Sequence, residues 1–389
     1  MGTVLAHKTE NSPVYSKRLW DEWAEAASLK RGSDAALALL VSGVKDWDKW
    51  LAEGIRLGLA GPVWVALRDA GIQSLLPPAV ADKLETGWRD ASNGIPRISI
   101  ALKSAAEALT KEKIPYLLLD LPGTEDFLAA PAERPVQTHM VLRTPYECQK
   151  QARDALQAAS WKLLDLDGVL PSFYPDSFVN PAHPDIVLHL AFRVLVVSDL
   201  TESESLIGQT SVQPYLNMDI PLPLPHVRAL LSSLRAVAEG ALDDPFCLLE
   251  LKRLYSRLDR QGWDALLDAA VRTTSVPEVQ VVLSALSSRL AFAIPALTSG
   301  ALEKKQSSRF VQRLILASAS SASPPAARAM YVLWRTPIGD DRRELLDLLL
   351  FRRIRALPPQ LAGTYEGRLL TEGMRGAVKI VKELFRPDR

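Results

Sequence analysis

The hydrophobic period of this chain changes at Ile114 and is helical again from His226 onward. Before Ile114 the apolar residues recur at helical spacing. Trp20, Trp23 and Ala27 fall at i, i+3, i+7, while Trp47, Leu51, Ile55 and Val80, Leu84, Trp88 each fall at i, i+4, i+8. Ile98, Leu102, Ala105 and Leu109 make a further stripe, so each set predicts a helix with one buried side. Pro62 and Pro77–Pro78 sit where proline suits a first helical turn. Ile114–Leu119 is instead a continuous apolar run closed by Asp120, the pattern of a buried strand.

Val136–Leu142 reads as a second strand, with 137, 139 and 141 on one face and 136, 138, 140 and 142 on the other. Thr144, Pro145 and Glu147 predict a capped helix start, with Cys148, Ala152, Ala155 and Ala159 on its buried side. Trp161–Leu164 is a short strand candidate. Asp185–Val196 is a longer one, preceded by a Pro- and Asp-rich loop. The stretch 200–224 carries Pro214, Pro221 and Pro223 and reads as irregular. The expected fold is therefore α+β, mainly helical with a small central mixed sheet. Three regions follow: helices over 1–113, an α/β core over 114–200, and helices over 201–389. Within the last, 318–325 reads as a loop. Leu370, Met374, Ala377, Val381 and Leu384 line one side of a closing amphipathic helix, opposite Arg368, Arg375, Lys379 and Lys382.

Composition narrows the function classes. The 46 Lys and Arg against 45 Asp and Glu leave a net charge of +1, without the excess of a dedicated nucleic-acid binder. Residues 341–389 hold a local basic surplus that includes Arg352, Arg353 and Arg355, which keeps a nucleic-acid-associated role open as a weaker alternative. Cys148 and Cys247 are far apart and outside any C-x-x-C pair, which fits a reducing cytosol rather than a disulfide framework or zinc site. The polar Met1–Asn11 start and the lack of a long apolar run predict neither secretory signal nor transmembrane helix, so the expected location is cytoplasmic. The nine Trp mostly sit at helical spacing and read as core.

Three stretches carry a resemblance: Ile114-Pro-Tyr-Leu-Leu-Leu-Asp120, Arg134-Pro-Val-Gln-Thr-His-Met-Val-Leu-Arg143 and Asp185-Ile-Val-Leu-His-Leu190. Their order and wording resemble a bacterial nucleotidyltransferase family of the DNA polymerase β-like superfamily, over about residues 35–290. The resemblance implies a catalytic sheet between helical regions. It also implies Mg²⁺ and a nucleoside triphosphate, held by an Asp-x-Asp on one strand, a third carboxylate on a neighbour, and a Lys-Gly turn. Hard cations such as Mg²⁺ require oxygen ligands.

At those positions this chain has Gln137-Thr138-His139, Val187 and Asp120-Leu121. A neutral amide is a weak Mg²⁺ ligand, imidazole prefers transition metals, and valine has no donor atom. The resemblance therefore implies a catalytically degenerate member, a pseudoenzyme with no cofactor. Its old cleft would be marked by Asp120, Arg134, Gln137, His139, Val187 and His189. Such a protein would bind a protein or peptide partner, or a nucleotide. The alternative is an active, metal-dependent nucleotidyltransferase using displaced ligands, with Asp185 as the candidate carboxylate. A transition-metal set of His139, Asp185, His189 and Gln137 is a further option.

Overall fold

A computed structural model describes residues 34–56, 59–120, 139–164, 175–191, 208, 210–215, 218–295, 309–319, 331, 334 and 335. Among the described residues three short helices come first: α1 (Asp34–Ser42), α2 (Trp47–Arg56) and α3 (Ala60–Asp69). A 34-residue helix follows, α4 (Pro78–Lys111). It starts at the second proline of the Pro77–Pro78 pair, where a missing N–H costs no intrahelical bond. The α2 stripe is not buried throughout: Leu51 is in the core, whereas Ile55 is exposed.

The central sheet has five strands in the order β1-β2-β5-β4-β3. They are β1 (Leu117–Asp120), β2 (His139–Arg143), β3 (Lys162–Leu163), β4 (Asp176–Asn180) and β5 (His183–Ala191), with helix α5 (Gln149–Ala158) between β2 and β3. The β2–β5 pair is parallel and the other ladders are antiparallel, so the sheet is mixed. Strand β4 falls in the stretch that the sequence presents as a Pro- and Asp-rich loop. Only Phe178 and Val179 are large apolar residues in it, and flanking prolines hide so short a pattern.

The predicted cap at Thr144 does not form. A residue before proline is pushed out of the helical region. The Thr144 N–H bonds Ala191 O as an extension of the β2–β5 ladder. A 3₁₀ turn, Tyr146–Cys148, starts after Pro145, and α5 follows it.

Residues 210–215 and 218–223 form an antiparallel ribbon, β6 (Thr210–Tyr215) and β7 (Met218–Pro223), where the prolines predict irregular chain. Thr210, Val212 and Pro214 lie opposite Pro223, Pro221 and Asp219. In an antiparallel ladder every second pair turns its N–H groups outward. The three prolines all occupy that one set of pairs, so none of them removes a bond between the two strands. Helices then resume: α6 (Pro225–Glu239), α7 (Pro245–Ser256), α8 (Arg260–Arg272), α9 (Val276–Leu290) and α10 (Arg309–Ser318). Gly240 ends α6 at φ +67°, a left-handed conformation that favours glycine. The closing amphipathic helix proposed for 370–384, the basic cluster at 352–355 and the Trp20 stripe lie outside the described residues.

Two hydrophobic clusters organise these elements. The larger joins α1–α3 and the first part of α4 to α6–α10, with Trp50, Leu84, Leu234, Tyr255 and Leu283 among its buried members. The smaller lies between one sheet face and the second part of α4 with α5. Ile98, Leu102, Leu109 and Leu156 meet Met140, Leu142, Phe178 and Leu188 there. Strand β1 serves both: Leu117 is buried in the larger cluster and Leu118 in the smaller. Alternation of side chains along one strand produces that division. No described helix is long and apolar enough to cross a membrane.

Candidate functional site

The parallel β2–β5 pair brings together three of the positions that the resemblance marks, 139, 187 and 189. His139 lies opposite Val187, Val141 opposite His189, and Arg143 opposite Ala191. Because facing residues of a ladder share a sheet face, 139, 141 and 143 line up with 187, 189 and 191. This row is on the face away from α5, since Met140, Leu142, Leu188 and Leu190 fill the smaller core on the other side. Leu117, opposite Arg143 on β1, continues the row into the larger helical core.

The row is unusually polar for a buried surface. Arg143, Ser177 and His189 are all buried, as are Val187 and Ala191 on either side of His189. Ser177, on β4, faces His189 across the ladder, and its Oγ lies 3.0 Å from His189 Nδ1. A buried imidazole and hydroxyl each need a partner, and the β4–β5 register supplies one for both. Thr144 is fully buried just past β2, and its Oγ1 makes no hydrogen bond. Ser177 is a residue that sequence reasoning misses, because β4 itself is hidden by its flanks.

Asp185 is engaged elsewhere. It precedes the β2 pairing, at an irregularity where β4–β5 partners jump from Val179–Val187 to Asn180–His183. Its exposed carboxylate pairs with Arg97 of α4, Nη2 to Oδ1 at 2.5 Å. A second strand-to-helix ion pair, Arg153 with Asp176, ties α5 to β4 through Arg153 Nη2 and Asp176 Oδ1 at 2.7 Å. The described partners of Asp185 and His189 thus differ: an arginine at the rim for the first, a buried serine for the second. Asp120 closes β1 opposite Val141, beside a bulge. Arg134 and Gln137 lie outside the described residues. Among the described residues no group of three His, Cys, Asp or Glu side chains is placed to hold a metal ion.

A separate groove of about 440 Å³ lies between α9 and α10. Gln280, Val281, Ser284, Arg289 and Leu316 line it. The Arg289 guanidinium is held there by Asp243 at 2.7 Å and by Leu242 O at 3.0 Å.

No family model matches the chain, and no curated protein or solved structure is significantly similar to it.

Proposed function

We propose that this chain is a nucleotidyltransferase-like protein without nucleotidyl transfer, acting as a binding subunit for a protein or peptide partner, or for a nucleotide. The observation that carries the reading is the register of β2 against β5. Two positions that the resemblance assigns to metal-binding carboxylates, 139 and 187, are direct neighbours on parallel strands. They hold a histidine and a valine. Adjacent anionic oxygens are what would gather a divalent ion and its polyphosphate. With an imidazole and an isopropyl group in their place, that attraction is gone.

The order of the described elements supports the same reading: long helix, two antiparallel strands, helix, two further strands, then the strand parallel to β2. Asp185, the carboxylate on which an active transferase would depend, is paired with Arg97 at the exposed rim of the sheet.

Two measurements test the proposal. Purified full-length chain given labelled nucleoside triphosphates with Mg²⁺ or Mn²⁺, and cell extract as acceptor, is expected to transfer no label. Metal-dependent labelling abolished by Asp185→Ala would overturn the proposal and establish a working transferase. Restoring the carboxylates together, as Gln137→Asp, His139→Asp and Val187→Asp, is expected to create a Mn²⁺ site that the natural chain lacks. A folded triple variant that binds no Mn²⁺ in calorimetry would show that these positions do not form the inferred cleft.

A further inference from the structure

The described chain passes between the two hydrophobic clusters twice. Leaving aside Leu117 and Leu119 of β1, the larger cluster is built from residues up to 88 and again from 224 onward, and the smaller from Ile98 to Leu222. The sheet unit is thus inserted into a helical unit that both flanks of the chain supply. The first crossing lies inside α4. The second is Pro223-Leu224-Pro225, between β7 and α6.

The crossing in α4 is soft. None of the side chains described between Arg89 and Arg97 is buried, so tertiary packing does not brace the helix there. Three features weaken it in the same stretch. The Ser92 hydroxyl donates to Trp88 O at 2.9 Å, a back-bond of the kind that bends helices. Gly94 has the poorest helix preference after proline. Pro96 has no N–H to give the carbonyl of Ser92, four residues back. Past this stretch α4 is fixed to the sheet again, by Arg97 on Asp185 and by the smaller core. The second crossing is stiff. Leu224 is extended, at φ −58° and ψ 154°. Proline rings fix φ on either side of it, and a residue before proline keeps to extended backbone.

Among the described elements, α4 alone packs extensively in both units. Leu117 and Leu119 reach across the seam from β1. We propose that the sheet unit turns as a body on the helical unit: α4 bends across Ser92–Pro96, and the Pro223–Pro225 link is the pivot. Leu117 lies opposite Arg143 on the same sheet face, so the turn widens and narrows the seam beside the polar row. It does so whatever the row binds. The part of α4 beyond Pro96 has 15 residues, Arg97–Lys111. A kink of roughly 20° swings the far end of such a piece, about 22 Å on, by about 8 Å.

Electron paramagnetic resonance distances in the full-length chain test the turn. In a Cys148→Ser, Cys247→Ser background, spin labels at Leu39→Cys and Lys162→Cys report between the units. Labels at Leu39→Cys and Arg260→Cys report within the helical unit, and all three positions are exposed. The cross-unit distribution is expected to be broader than the within-unit one, by a spread on the scale of that swing. It should narrow in Pro96→Ala and in Gly94→Ala, which put a good helix former in the weak stretch. A cross-unit distribution as narrow as the within-unit one would overturn the proposal, and so would a broad one that both substitutions leave unchanged. If the cysteine-free background does not fold, hydrogen exchange of the natural chain decides. Amides of Asn93–Arg97 protected as strongly as those of Leu102–Leu109 would show a helix that does not bend there.

Discussion

Hydrogen-bond direction decides the consequence of single changes in the helical core. Ser233 on α6 spends its one proton on Ala229 O at 2.7 Å. The 2.8 Å contact with Tyr255 must then be donated by the phenol. Tyr255 packs on Trp263 and Phe292, with ring centroids 5.3 and 6.3 Å away. Ser233→Ala leaves a buried phenol without a partner and is expected to cost about 1–3 kcal/mol. Tyr255→Phe leaves the serine bonded to Ala229 and should cost about 1 kcal/mol or less. Urea denaturation of the two variants checks the order, and a larger loss for Tyr255→Phe would contradict it. At the candidate site the residue types are legible in the sequence, His139 and Val187 among them. The sequence cannot show the Ser177–His189 pairing, which depends on a strand whose short apolar pattern lies between prolines. It also cannot show that Asp185 is held by Arg97, a partner 88 residues away.

Among the elements, α4 is the most informative. At 1.5 Å per residue its 34 residues span about 51 Å, and its two parts serve different cores. Val80 and Leu84 belong to the larger cluster, Ile98 to Leu109 to the smaller one. Pro96 sits at the handover, inside the helix and exposed. Proline there removes the hydrogen bond to the carbonyl four residues back and crowds it. Pro96→Ala is therefore expected to raise the melting temperature, with a gain bounded by the roughly 3 kcal/mol that separates the two residues in a helix interior. A lower melting temperature would mean that the proline shapes the handover. The helical stripes at Val80–Trp88 and Ile98–Leu109 are legible in the sequence because each buries one face at a constant period. The joining of those stripes into one helix through Pro96 is not legible, since proline ordinarily signals a break. The β6–β7 ribbon is hidden for a related reason. Its prolines look like punctuation until the pairing shows that they use the positions where no inter-strand donor is needed.

At the scale of the whole molecule, the described residues form two cores that share a helix and a strand. A cavity in either should therefore be felt by both. Leu84→Ala in the larger cluster and Leu118→Ala in the smaller each remove a buried side chain, at a cost of about 2–5 kcal/mol. Far-ultraviolet circular dichroism and tryptophan fluorescence are expected to report one coincident transition in both variants, displaced in each. Separate transitions would mean that α4 and β1 do not couple the two halves. The ribbon has a further consequence at this scale. Strand β7 lies beside β1 but does not join its sheet. Pro221 and Pro223 occupy positions whose N–H groups would point away from β6, so β7 has few donors left to offer a neighbouring strand. Residues that look like breaks in a linear reading thus help to keep the ribbon a sheet of its own.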